Sequence, residues 1–359
     1  MKRPLLTYLI LAVLLLCGVR GEAQELKVGA DFTTLFDNKE YASMTFNNSG
    51  TLFGARLTPK VGIGWSKHNE LMLGVDMVQD FGDGAKFLSD VNVQMYYGYR
   101  APSVTLLAGI FPRSEMRGLK SRLFYDAEYR YYNNRIGGVL ARYEDKQREG
   151  AYVEFVFDYT GMRDFDIREQ FAIISSGVMP FKWFYMGYDL MVGHYAFDYN
   201  PDTVEGVVDD IFVTPFVGFD FEGGGFDFDI RLTYMQSLQR DRINEGSWEA
   251  PMGGELNAAI SRWGVTLRNT LYIGNGLLTY YNRYGAQLYG GSPFYNTNKG
   301  IYDAITASYA QRFFEDSVSV SAGITMEYDG TGWGTRQWLA VGVDLDYNIA
   351  LKRKQQYIE

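Results

Sequence analysis

Apolar and polar residues alternate strictly along several long segments of the chain. In residues 339–349 every second residue is apolar, and small or acidic residues and an asparagine lie between them. The same alternation occurs in 53–65, 226–234 and 318–328. A period of two over about ten residues indicates a strand with one apolar and one polar face. Strands of soluble domains usually have about 5–6 residues, so the pattern predicts strands of membrane-spanning length.

Extended to the whole chain, this pattern predicts an all-β fold, a transmembrane antiparallel up-and-down β-barrel of about sixteen strands (fourteen to eighteen). Its linkers alternate between tight turns, such as 66–68 and Trp263, and longer loops, such as 113–133 and 275–299. Short periplasmic turns and long extracellular loops are typical of such barrels, and an even strand count leaves no unpaired edge in lipid. The predicted strands are 26–36, 51–65, 69–80, 89–99, 103–112, 134–143, 150–159, 167–178, 182–197, 209–221, 226–237, 252–262, 264–274, 300–312, 317–328 and 336–350.

The N-terminus predicts export from the cytoplasm. Lys2 and Arg3 precede an apolar run, and small residues follow at the positions that a signal peptidase recognises, which indicates a signal peptide over 1–23. The barrel would then occupy 24–351, with a polar periplasmic tail over 352–359. Cys17 is the single cysteine, so the mature chain would contain neither disulfides nor zinc-thiolate sites.

Composition supports a membrane protein rather than a nucleic-acid binder. The chain has 28 Tyr and 24 Phe, and tyrosine suits a membrane interface because its ring has an apolar and a polar end. The net charge is −9, which argues against nucleic acid as a partner.

On these strands and linkers, the chain resembles the porin-like β-barrels of bacterial outer membranes, and its tyrosine-rich strands resemble those of the Bacteroidetes type. Gly342, Leu345 and Tyr347 match the spacing of that family's assembly signal in the last strand. The family usually ends on an aromatic residue, whereas here a polar tail follows Leu351. The resemblance implies location in the outer membrane of a Gram-negative bacterium, outer-membrane lipid as a partner, and a homotrimer.

Strand parity predicts which charged residues face the lumen. Acidic residues outnumber basic ones among them, so we expect a wet, acid-leaning wall around a pore, because barrels of 16–18 strands leave an aqueous channel. Charges that only solvate the wall and pair across it are the simpler interpretation. The lumen-facing candidates are Arg56, Lys60, Asp76, Asp189, Asp227, Asp229, Arg231, Arg268, Asp344 and Asp346.

The loop 113–133 is the third long loop, which folds into the lumen in trimeric porins. We expect it to narrow the pore and to set its size and charge preference. An ordered loop over the mouth of the barrel is an equally simple interpretation. The constriction candidates are Arg113, Glu115, Arg117, Lys120, Arg122, Asp126, Glu128 and Arg130.

Residues for catalysis or metal binding are sparse. His68 is predicted in a periplasmic turn, and His194 faces lipid or headgroups near the extracellular end of its strand. An outer-membrane phospholipase pairs such a histidine with a serine two residues later, but Ala196 occupies that position. Asp209 with Asp210, or the acids of 198–202, could bind calcium, although solvated acids are the commoner case. We therefore predict no catalytic residue, metal or cofactor.

The sequence thus predicts a channel for passive diffusion of small hydrophilic solutes or ions, and not an enzyme. Two alternatives stay open. One is a non-conducting barrel that binds or assembles surface polysaccharide, and the other is a barrel enzyme.

Overall fold

A closed barrel of sixteen antiparallel strands forms the fold, as seen in a computed structural model that describes residues 23–45, 49–162, 169–196, 206–297 and 299–350. The predicted fold class and strand number are therefore confirmed. The predicted signal peptide (apart from Ala23) and polar tail lie outside the described residues. No described helix is long and apolar enough to cross a membrane.

Each strand pairs with its neighbours in sequence, and β1 closes the barrel by pairing with β16. The strands are β1 (Ala23–Glu40), β2 (Gly50–Trp65), β3 (Asn69–Asp80), β4 (Asp90–Ala101), β5 (Val104–Pro112), β6 (Arg135–Glu144), β7 (Tyr152–Gly161), β8 (Gln170–Pro180), β9 (Tyr185–Ala196), β10 (Val207–Gly223), β11 (Phe226–Asp241), β12 (Met252–Arg262), β13 (Val265–Gly274), β14 (Ile301–Phe313), β15 (Val318–Tyr328) and β16 (Trp333–Ala350).

Tight turns join the strands at one end of the barrel. Between β12 and β13 only Trp263 and Gly264 intervene, with φ of 53° and 80°. Positive φ at both central residues is typical of the two-residue hairpin turn that matches strand twist. Longer loops join the strands at the opposite end, which is the extracellular end in barrels of this class.

The outward face of the barrel is an apolar surface that suits lipid. Apolar side chains at alternate positions stay exposed because no other part of the chain covers them, as in Leu57, Phe155, Leu267, Ile324 and Leu339. Since alternation assigns the intervening residues to the lumen, polar groups of the wall collect inside.

The extracellular half of the lumen is packed with side chains from two long loops. These loops carry short helical segments, namely Arg113–Glu115, Ala127–Tyr132, Tyr281–Tyr284, Gly285–Gln287 and Pro293–Asn296. Apolar residues of the loops, including Leu119, Leu123, Phe124 and Phe294, are buried together with inward residues of the wall such as Phe212. The core of this protein therefore lies inside the barrel.

Candidate functional site

A row of four side chains crosses the outer face of the barrel at the extracellular ends of β8–β11. The strand register pairs His194 with Phe171 on one side and with Asp209 on the other, and Asp209 in turn pairs with Arg240. The residues that alternate with them, including Val208 and Asp210, are buried on the lumen side. Because side chains of a strand alternate between faces, this row points toward lipid.

Charged groups of the row contact one another around one carboxylate. Asp209 Oδ1 lies 3.4 Å from His194 Nδ1. Arg240 Nη2 donates to Asp209 Oδ2 at 2.8 Å, and Arg242 donates through Nε and Nη2 at 2.8 and 2.7 Å. We call His194, Asp209, Arg240 and Arg242 the rim cluster.

The rim cluster is accessible from outside while its carboxylate is largely covered. Side-chain exposure rises from 12% at Asp209 and 20% at His194 to 30% at Arg240 and 49% at Arg242. The hydrogen bond to Asp209 raises the pKa of the Arg242 guanidinium, which lies just beyond β11 and keeps its charge. Arg240 also lies over the ring of Trp248, 4.7 Å from its centroid.

This arrangement fits acid–base chemistry at a lipid surface. When His194 carries its proton on Nδ1 and donates it to Asp209, the other ring nitrogen is free to accept a proton. Two guanidinium groups around one carboxylate leave a net positive charge, which favours an anionic headgroup or a developing oxyanion. Phe171, whose ring centroid lies 5.2 Å from that of His194, limits the ring's movement.

The outward position of His194 was predicted from the sequence, but its partners were not. Asp209 was considered with Asp210 as a calcium site, yet the two carboxylates face opposite sides of the wall and cannot share an ion. The acids of 198–202 lie outside the described residues. Within the described ranges, no group of three or more His, Cys, Asp or Glu side chains could hold a metal.

Inside the barrel, the loop 113–133 is anchored to the wall by buried ion pairs and backbone hydrogen bonds. Arg113 pairs with Asp158 at 2.8 Å, with side-chain exposure of 4% and 3%. The backbone N–H groups of Arg117 and Gly118 donate to Glu154, and that of Leu119 donates to Asp189.

Most of the other constriction candidates form ion pairs or hydrogen bonds with the wall or with their own loop. Glu115 pairs with Arg100, Arg122 pairs with Glu327, and Glu128 pairs with Lys39. Asp126 accepts from the backbone N–H of Tyr129 and so caps a short helix, while Arg130 donates to the carbonyl of Leu119. Burial, together with the nearby Arg130, lowers the pKa of Lys120.

The lumen-facing candidates divide into paired and more exposed residues. Arg56 pairs with Asp76 at 3.0 Å, and Lys60 bridges Asp31 and Asp346. Arg231 lies over the ring of Phe216, Arg268 is 4.0 Å from Asp229, Asp344 is opposite Asp31 in the register, and Asp227 is exposed.

A second loop, 275–299, meets the first inside the barrel. Asp126 N donates to Gly290 O and Ser292 N donates to Arg122 O, both at 2.8 Å. Tyr295 donates to Glu255 on the wall. The two loops therefore reduce the free cross-section of the lumen, whereas a role of either loop in solute selection stays a prediction.

Comparison with known proteins identifies the family. A family model described as Lipid A 3'-O-deacylase-type matches residues 19–351. The chain belongs to this family. Membership points to an enzymatic activity, so the sequence-based expectation that the protein is not an enzyme was wrong. That expectation had rested on the absence of a serine two residues after His194, which excludes one arrangement of catalytic groups but not a histidine paired with an acid from the next strand.

Solved structures of outer-membrane proteins share the barrel. OmpT of Vibrio cholerae, folded in vitro, superposes with a TM-score of 0.55 at 10% identity, covering 91% of this chain and 99% of that chain. The opdK protein of Pseudomonas aeruginosa superposes with a TM-score of 0.52 at 10% identity, covering 90% and 99%. These similarities support an outer-membrane β-barrel of a Gram-negative bacterium. No curated protein matches the chain. The Bacteroidetes type stays a prediction.

Proposed function

We propose that the protein is an outer-membrane hydrolase that removes an ester-linked acyl chain from lipid A, with the rim cluster as its active site. The observation that carries this proposal is the outward-facing pair of His194 and Asp209 at the extracellular end of the wall. A lipid of the outer leaflet can reach such a pair by lateral diffusion, with its headgroup toward the loops. The family of the chain supports the same substrate class.

The proposed reaction uses water as the nucleophile. Asp209 accepts a hydrogen bond from the Nδ1–H group of His194 and holds the ring so that its Nε2 takes a proton from a water molecule. The water oxygen bonds to the ester carbonyl carbon, and Arg240 or Arg242 stabilises the resulting oxyanion. The carbon–oxygen ester bond then breaks, and His194 returns the proton to the leaving alkoxide. The products are a free fatty acid and a lipid with one hydroxyl restored.

The arginines of the rim cluster have a second proposed role, which is to bind the phosphate groups of the substrate. Arg242 is about half exposed and contacts Asp209 from the loop side of β11, so it can reach an anion outside the wall. The phosphate groups of lipid A are anions of this kind, and guanidinium groups bind phosphate through paired hydrogen bonds. We expect phosphate binding to orient the acyl ester against His194.

Hydrolysis can be tested with the refolded protein in detergent micelles containing lipid A. Mass spectrometry should detect lipid A that has lost one acyl chain, together with the released fatty acid. His194→Ala should lower the rate about 10²–10⁴-fold, the usual contribution of a positioned base. His68→Ala is the matched control, because His68 lies in the turn at the opposite end and should leave the rate unchanged. Equal rates for the wild type and His194→Ala would exclude this active site.

A passive channel for small hydrophilic solutes or ions is a second proposal, supported by the porin-like fold and the charged lumen wall. The loops 113–133 and 275–299 oppose it by filling the extracellular half of the lumen. Single-channel recording in planar bilayers tests it: deletion of residues 115–130 should raise conductance if this loop is the constriction. A folded barrel that passes no ions with or without the loop would exclude the channel and favour a binding role.

A further inference from the structure

A cavity of about 540 Å³ lies between the two lumen loops and the wall at the extracellular side. Its walls come from 123–133 of the first loop, 281–293 of the second, and inward residues of β7, β8, β9 and β10. The volume falls within the range of about 300–1,000 Å³ that is typical of small-molecule sites. The rim cluster lies on the opposite face of the same strands, so the cavity is a separate site.

Tyrosine rings dominate this cavity. Tyr125 and Tyr129 of the first loop are stacked, with centroids 4.8 Å apart and planes 10° apart. Tyr281 and Tyr289 of the second loop are also stacked, with centroids 6.1 Å apart. The electron-rich faces of such rings attract cations. Two arginines of the first loop already lie over the first stack, with guanidinium carbons 4.8 Å (Arg113) and 5.6 Å (Arg130) from the centroid of Tyr125.

The charged residues that line the cavity are all acids. Asp126, Glu128 and Asp210 contribute carboxylates, and none of the described lining residues is Lys or Arg. Glu128 is neutralised by Lys39, and Asp126 caps a helix. Asp210 is different, because its residue exposure is 1% and its one hydrogen-bond partner among the described residues is the amide of Gln239.

One oxygen of Asp210 has no assigned partner. Oδ1 accepts from Gln239 at 2.7 Å, whereas the buried Oδ2 has no hydrogen-bond partner among the described residues. A buried carboxylate without a counter-charge is costly, and a bound cation removes that cost. The cavity thus combines a buried acid that has no cationic partner among the described residues with six tyrosine rings, four of them in two stacked pairs.

We propose that this cavity binds a small organic ammonium ion, with its charge next to Asp210 and its apolar groups against the tyrosine rings. A hard inorganic cation would need about six oxygen ligands, and rings cannot supply them. An uncharged sugar would stack on the rings but leave Asp210 without a counter-charge. The ammonium ion satisfies both features of the cavity.

Isothermal titration calorimetry of the refolded full chain in detergent tests the proposal, with tetramethylammonium chloride as the probe and sodium chloride as the salt control. We expect saturable binding of tetramethylammonium and none of sodium. Asp210→Asn should weaken binding about thirtyfold or more, as expected for loss of one member of a buried charge pair. Asp220→Asn, the same change near the other end of β10, should leave the affinity unchanged.

A second variant keeps the test decisive if Asp210→Asn does not refold, as judged by its gel mobility before and after heating. Tyr129→Leu removes one ring of the first stack and should weaken tetramethylammonium binding about threefold or more. Absence of saturable binding by the wild type would overturn the proposal. So would wild-type affinity in Asp210→Asn or in Tyr129→Leu, or an equal loss of affinity in Asp220→Asn.

Discussion

Asp209 and Asp210 are adjacent in sequence, yet the barrel wall gives them opposite surroundings. Asp209 faces outward and contacts a histidine and two arginines. Asp210 faces the lumen and is held by the amide of Gln239, with the tyrosines of the cavity nearby. A strand places successive residues on opposite faces. The Asp209 carboxylate is therefore proposed to position His194, whereas the adjacent Asp210 carboxylate is proposed to bind a cation in the lumen cavity. Sites on the two faces of one wall can therefore serve different ligands.

The largest expected effect is a loss of lipid A hydrolysis on the outward face, with no change in cation binding on the lumen face. Asp209→Asn removes the acceptor that orients His194, so hydrolysis of lipid A should fall about 10²–10⁴-fold. The affinity for tetramethylammonium should stay that of the wild type, because Asp209 does not line the cavity. Mass spectrometry of lipid A and calorimetry on the same preparation measure both. A joint loss of activity and affinity would show that the two faces are not independent.

On the lumen face, a buried ion pair should matter far more than an exposed one. Arg113→Met leaves Asp158 buried without its cation, which should lower the free energy of unfolding by about 3–5 kcal/mol. Arg268→Met is the control, because Arg268 and Asp229 are 44% and 41% exposed and 4.0 Å apart, so about 0–1 kcal/mol should be lost. Urea unfolding in lipid vesicles measures both. Equal losses would contradict the assigned burial.

A charged substitution should lower the free energy of unfolding more on the lipid-facing side of the wall than on the lumen side. Leu339 is 45% exposed on the outward face of β16 near mid-strand, and Leu339→Arg should cost about 2–4 kcal/mol there. Asp344→Arg, an inward change on the same strand, should cost much less because water reaches its side chain. The same unfolding measurement applies. A larger cost for Asp344→Arg would mean that the two faces had been assigned the wrong way round.

The smallest expected effect concerns Asp329, a carboxylate held by hydrogen bonds instead of cations. Burial opposes its ionisation, but hydrogen bonds from Thr331, Gly332 and Thr45 outweigh burial, so the net effect is a lowered pKa. The stabilisation is therefore fully present above the ordinary pKa of 3.8 and is lost as pH falls through the lower folded value. The difference in unfolding midpoint between wild type and Asp329→Asn should shrink from pH 6 to pH 3. A difference that does not change with pH would contradict this assignment.

Alternation made most of the barrel predictable, because the order of apolar and polar residues within each strand indicates which of them face lipid. The strand 252–262 was predicted with the bounds that β12 has, whereas β11 extends to Asp241, four residues beyond its predicted end. Gln239 and Asp241 were predicted as loop residues because they are polar. Their burial depends on the loop 275–299, which contacts them from far along the chain.

The rim cluster was less predictable than the fold. The parity of its strand already gave His194 an outward position, but parity says nothing about which residue of β10 lies beside it. That pairing is set by the register between β9 and β10 across a loop whose geometry no local pattern specifies. Arg240 and Arg242 were not predicted to lie beside Asp209, because the strand that carries Arg240 and precedes Arg242 was expected to end at residue 237.

The closure of the barrel has a consequence for how the protein is made. Glu25 pairs with Ala350, so the seam joins the beginning and the end of the described chain. Until β16 arrives, β1 and β15 are open edges whose backbone groups would be unpaired in lipid. Insertion therefore has to wait for nearly the whole chain, and pairing over such a sequence distance is slow. During that delay the outward apolar residues would be exposed to water, and the backbone groups of the two open edges would be free to pair with other chains.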